Sequence, residues 1–107
     1  MLTAWDSATA RRFKERLAEA GVPVERLLVY GSRARGAPAP DSDMDIFLVL
    51  SSVAPEVRAL VGRAAWDVGF ERGVVITTVE YTSDQLEDSP LRASPFVRAV
   101  QAEGVAI

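Results

Sequence analysis

The chain contains no cysteine and no histidine, and Lys14 is the single lysine among its 12 basic residues. Without cysteine there can be no disulfide, thiolate zinc site or thiol nucleophile, and without histidine no imidazole acid–base chemistry. Any metal must then be held by oxygen ligands, which favours Mg²⁺ or Mn²⁺. No apolar run has the length of a membrane span, and the N-terminal stretch is amphipathic without a signal-peptide pattern, so a soluble cytoplasmic protein is expected. A formal charge of −3 and a pI near 4.9 give no electrostatic case for broad nucleic-acid binding. Local basic groups remain available to a small phosphate ligand. The bias to arginine speaks to genome composition or heat tolerance rather than to activity.

What the chain does have is a hydrophobic content of 49% over 107 residues, enough for one core, and a single domain over residues 1–107 is expected. Asp6 or Ser7 can cap a helix running to about Ala20, with Ala10, Phe13, Leu17 and Ala20 on one face; Gly21 ends it. Arg26 to Tyr30 has strand length, and Gly36 to Ser42 is a loop by its prolines and small residues. A strand from about Asp43 to Leu50 follows. Val57, Leu60, Val61, Ala64, Ala65 and Val68 then recur at helical spacing, with Ser51 or Ser52 as cap and Pro55 near the first turn. Gly69 to Gly73 reads as a turn, and Val74 to Tyr81, rich in β-branched residues, as a third strand. Thr82 or Ser83 can cap a short acidic turn with Asp84, Glu87 and Asp88 solvated. Ser94-Pro95 starts a last helix with Phe96, Val97 and Val100 inward, closed by Gly104. The order implies an α+β fold, a small mixed sheet with helices packed on one side.

The chemistry gathers between Leu27 and Leu50. In a strand from Met44 to Leu50, alternation sets Asp43, Asp45 and Phe47 on one face and Met44, Ile46, Leu48 and Leu50 on the other. Two like charges held this close are tolerated most easily with a cation between them. A lone Asp-x-Asp is a weak signal and is more often a solvated strand start. Here Gly31-Ser32 lies ten residues before Asp43, at the end of the preceding strand, where a turn would leave backbone N–H groups free for phosphate oxygens. Glycine allows close approach, Ser32 adds a donor, and Arg33 and Arg35 bring positive charge, although either can equally be a solvated loop residue. A phosphate cradle beside carboxylate-held Mg²⁺ suits nucleotidyl transfer, which needs no histidine base. Trp5 and Trp66 read as core or interface.

Gly31-Ser32, ten residues and then Asp43-Met44-Asp45, within the wording GSRARG and between apolar strands, resembles the signature of the DNA polymerase β-like nucleotidyltransferase superfamily, and in particular its minimal nucleotidyltransferase branch. The likeness extends to the helix after Asp45, the strand at Val74 to Tyr81 and the closing SPLRASPFVRAVQAEGV segment. The resemblance implies that Gly31 and Ser32 hold a nucleoside triphosphate, with ATP the expected donor, and that Asp43 and Asp45 bind Mg²⁺, with room for two ions. Superfamily members add a third carboxylate from a later strand. The Val74 to Tyr81 segment offers only Glu80, which is therefore the candidate third catalytic acid.

The resemblance also implies a small helical partner of the HEPN kind, a toxin whose hydroxyl the chain would adenylylate as antitoxin. The alternatives are a degenerate antitoxin or regulatory subunit that binds a helical partner without turnover, and a nucleotide sensor. The apolar C-terminus leaves self-association or a hetero-oligomer open.

Overall fold

A computed structural model of the chain describes residues 2–36 and 41–107, so part of the loop expected over 36–42 lies outside the described residues. Helix α1 spans Ala4–Glu19 and is capped by the Thr3 hydroxyl, which accepts from the Asp6 N–H at 3.0 Å. Asp6 itself, expected as the cap, is buried inside the first turn. Strands β1 (Val24–Tyr30) and β2 (Met44–Leu50) pair antiparallel. Helix α2 (Pro55–Arg72) crosses over to β3 (Ile76–Thr82), which runs parallel to β2. Short helices α3 (Ser83–Asp88) and α4 (Pro95–Glu103) flank a 3-10 turn at Pro90–Ala93. The last residues form a two-residue strand β4 (Val105–Ala106) along β1, and the sheet order is β3-β2-β1-β4.

The expected α+β fold with a small mixed sheet is thus present, and the alternation along β2 sorts its two faces. Met44, Ile46, Leu48 and Leu50 are fully buried against Ala10, Phe13 and Leu17 of α1 and Val61, Ala64 and Val68 of α2. Phe47 and Val49 face the other way, into a second cluster with Leu28, Leu86, Val97 and Val100. The long helices accordingly share one side. Leu86 of α3 and the amphipathic α4 cover part of the other, because Phe47, Leu28 and Val49 would otherwise expose an apolar strand face to water.

Three local expectations change. Gly69 is a helical residue of α2 and not the start of a turn; a Cβ there would lie 2.5 Å from the Val74 carbonyl oxygen, so glycine lets the chain fold back tightly onto the helix. Leu60, in phase with the inward stripe, is 42% exposed, and Trp66 and Phe70 on the same helix are more so. The apolar C-terminus is used within the fold: Val105 pairs with Val29, Ala106 with Leu28, and the Ile107 N–H donates to Leu27 O at 3.0 Å. No helix among the described residues is long and apolar enough to cross a membrane.

Candidate active site

β1 ends at Tyr30, directly across from Asp45, the second residue of β2. The chain then turns at Gly31, whose φ of 78° lies where side chains are strained. The Arg35 N–H donates back to Gly31 O at 3.2 Å and the Gly36 N–H to Arg33 O at 3.1 Å, so residues 31–36 form a compact helical turn without becoming a helix. A Cβ at residue 31 would stand 2.5 Å from Asp45 Oδ2. The glycine turn and the acidic strand are therefore in direct contact, and the aspartate carboxylate occupies the space that any other residue at 31 would fill.

The other oxygen of Asp45 is also engaged. Thr77, its partner on β3, donates its hydroxyl to Asp45 Oδ1 at 2.7 Å. The half-buried carboxylate is thus fixed between a glycine on one side and a threonine on the other. Asp43, two residues earlier and just ahead of the strand, is exposed, and its carboxylate has no hydrogen bond or ion pair among the described residues. Two hard carboxylates at the mouth of one strand, one oriented and one free, with a half-buried hydroxyl residue (Ser32) in the adjoining turn, make a donor set that fits a small oxygen-seeking dication and the phosphates that accompany it. Beside them lies a cleft of about 270 Å³ bordered by Tyr30, Gly31, Arg35, Phe96 and Glu103. Phe96 meets Tyr30 edge-on, with ring centroids 5.4 Å apart. Burial raises the Tyr30 pKa above its ordinary 10.0, with the Asp45 charge adding to the effect, so the phenol stays neutral at the pH of the cell.

Two of the residues expected in the site stand elsewhere. Glu80 pairs with Leu48, three positions along from Asp45, and shares with Ile76 the face that carries α1 and α2. At about 3.3 Å per residue it lies roughly 10 Å down the strand and on the far side of the sheet from the aspartates. Its carboxylate accepts from the Thr78 hydroxyl at 3.3 Å. The face read from alternation is correct, but the helices cover that face, so Glu80 is not a third acid here. Among the described residues no group of three or more acidic, histidine or cysteine side chains converges to hold a metal.

Arg33 is likewise not free to meet a phosphate. It is 8% exposed, pairs with Asp6 Oδ1 at 2.7 Å, and donates to Ser42 O at 2.5 Å and Asp43 O at 3.3 Å. Its guanidinium fastens the segment leading into Asp43 to the first turn of α1. The signal that sequence reasoning missed was Asp6, an acidic residue in the first turn of an amphipathic helix, where it reads as a cap. Arg35 does stay at the turn's surface, exposed, with Glu103 at 3.9 Å. A larger concavity, about 910 Å³, lies on the helix side among Trp5, Trp66, Phe70 and Val75 and includes neither Asp43 nor Asp45 in its lining. Trp5, 41% exposed, lies under Arg72 at 4.8 Å, and Trp66 is 71% exposed, so neither is a core residue.

A mixed sheet whose second strand opens on two aspartates, with the preceding strand ending in a glycine turn packed on one of them, is the frame of a nucleotidyltransferase. The profile of the nucleotidyltransferase domain family matches residues 10–105, and the chain belongs to that family. No curated protein sequence matches it. Among solved structures, a toxin–antitoxin crystallised with AMP-PNP is similar with a TM-score of 0.59 at 17% identity, over 88% of this chain and 68% of that one. A candidate nucleotidyltransferase from Sulfolobus solfataricus is similar with a TM-score of 0.53 at 16% identity, over 99% of this chain and 87% of that one. At these identities the likeness is one of fold.

Proposed function

We propose that the chain binds a nucleoside triphosphate with a divalent cation at Gly31, Ser32, Asp43 and Asp45, and transfers the nucleoside monophosphate to a hydroxyl on a partner protein. The hydroxyl oxygen bonds the α-phosphorus, the bond from that phosphorus to the oxygen bridging to the β-phosphate breaks, pyrophosphate leaves, and the hydroxyl proton goes to water. The observation that carries this reading is the contact between the Gly31 turn and the Asp45 carboxylate, which joins a place for phosphate to a place for metal. Asp43 and Asp45 would hold the ion, with Mg²⁺ the expected species. When bound, it supplies charge neutralisation on the phosphates and a lower pKa for an attacking hydroxyl. Gly31 lets a phosphate come close to the backbone, Ser32 donates a hydrogen bond to it, and Arg35, exposed at the surface beside Glu103, adds positive charge. Thr77 keeps Asp45 in one orientation throughout.

A toxin–antitoxin crystallised with AMP-PNP among the proteins of similar fold supports ATP as donor and an antitoxin role. The acceptor in this reading is a helical toxin of the HEPN kind, as the sequence resemblance implies. A second reading, an antitoxin that binds its partner without turnover, is favoured by one feature: two carboxylates stand where a third does not. The two readings separate when the chain is incubated with its helical partner, Mg²⁺ and ATP labelled at the α-phosphate. Transfer should label the partner, and Asp43→Asn with Asp45→Asn should abolish the label while leaving the complex intact. An unlabelled partner that is neutralised equally by wild type and the double variant would establish the contact role instead.

A further inference from the structure

We propose that Thr77 is a positioning residue that sets Asp45 for a single divalent cation, so that nucleotide enters this site with one protein-held ion rather than two. The inference rests on the reading of Asp43 and Asp45 as a metal site and goes further, to how many ions that site can take. Neighbouring strands lie about 4.8 Å apart, so a third carboxylate brought to the ion by a neighbouring strand has to come from a position directly beside Asp45. Those positions are Tyr30 on β1 and Thr77 on β3. Tyr30 is a phenol packed edge-on against Phe96 and offers no carboxylate. Thr77 places a neutral hydroxyl where an acid would be needed, and spends it on Asp45 Oδ1 at 2.7 Å.

The consequence follows from charge. A two-ion site sets its cations about 3.5–4 Å apart, and their mutual repulsion has to be offset by acidic ligands between and around them. The protein supplies two negative charges, Asp43 and Asp45, so a second ion would have only the nucleotide's own phosphates to hold it, and Glu80 is on the other face. One ion matches the two carboxylates and leaves its remaining positions to water and phosphate oxygens, as Mg²⁺ prefers. The Thr77 hydroxyl keeps Asp45 Oδ1 turned toward β3, and Oδ2 stands against the Gly31 turn.

The test counts ions. Native mass spectrometry of the full chain with Mn²⁺ and AMP-PNP should show complexes carrying one Mn²⁺ beyond the nonspecific background of an Asp43→Asn, Asp45→Asn control. Thr77→Asp should shift the distribution to two. Thr77→Val, which keeps the shape and loses the hydroxyl, should weaken Mn²⁺ binding by about tenfold, the size of one hydrogen bond to a charged group, while Thr77→Ser restores it. Two ions on the wild-type chain would overturn the inference and leave the proposed function standing. One ion on both wild type and Thr77→Asp, or equal affinity in Thr77→Val, would overturn it as well. No ion on the wild type would remove the metal reading beneath it.

Discussion

Arg33 carries more of this molecule than its place in a surface-looking GSRARG stretch suggests. Its guanidinium neutralises Asp6, which is 1% exposed, and holds two carbonyls of the segment that delivers Asp43. Replacing it by methionine would leave Asp6 as a charge buried without its partner, a defect that costs about 3–5 kcal/mol. Arg33→Met should therefore lower the melting temperature severely, and Asp6→Asn in the same chain should recover part of the loss; an unchanged melt would show that the pair is not structural. Arg35, one turn away and exposed, should be silent in that assay. Tyr30 makes a separate prediction. Burial and Asp45 disfavour its phenolate in the folded protein, whereas the unfolded phenol ionises near 10.0. The stabilisation is therefore whole below pH 10 and is lost as pH rises past it. Tyr30→Phe should flatten the alkaline limb of the stability profile above pH 10, measured by denaturant melts, and leave pH 7 behaviour alone. Of the candidate site, the neighbourhood of Gly31 and Asp45 was legible in the spacing, because a strand's period of two and a glycine after an apolar run are local signals. Arg33, Thr77 and Glu80 were not legible, because their roles depend on which strand pairs with which and on which face the helices cover.

At the scale of elements, the pattern in the chain marked α1, β2, α4 and the start of α2 closely, since each helix buries one stripe and is bounded by proline, glycine or a serine or threonine cap, and β2 alternates along its length. The errors fell where tertiary contact decides. Gly69 looked like a helix stop, and it is instead the point where α2 admits the backbone of Val74. Gly69→Ala would improve helix propensity in isolation, yet a Cβ 2.5 Å from a carbonyl oxygen forces the α2–β3 connection apart. Overpacking of this kind costs about 1–3 kcal/mol, so the variant should be less stable in denaturant melts, and a gain in stability would contradict the packing described. Strand β4 was equally hidden. Two residues are too short to show a period, and only their pairing with β1 makes them a strand.

Across the whole molecule, the sheet separates two duties. Its helix-covered face forms the larger core, with Phe13, Leu17, Met44, Ile46 and Leu48 fully buried. Its other face is packed by Leu86, Val97 and Val100 around Phe47 and Leu28, and Asp45 lies at the end of that face where the packing stops. Rigid strands thus present the acidic pair at the end of the sheet, where the proposed chemistry would take place. The direct measurement is calorimetric titration of AMP-PNP into the chain with Mg²⁺ present. The account predicts binding by wild type that disappears on adding EDTA or on changing Asp43 and Asp45 together to asparagine, with the fold unaltered by circular dichroism. Binding of equal strength in the double variant, or none in the wild type, would contradict it.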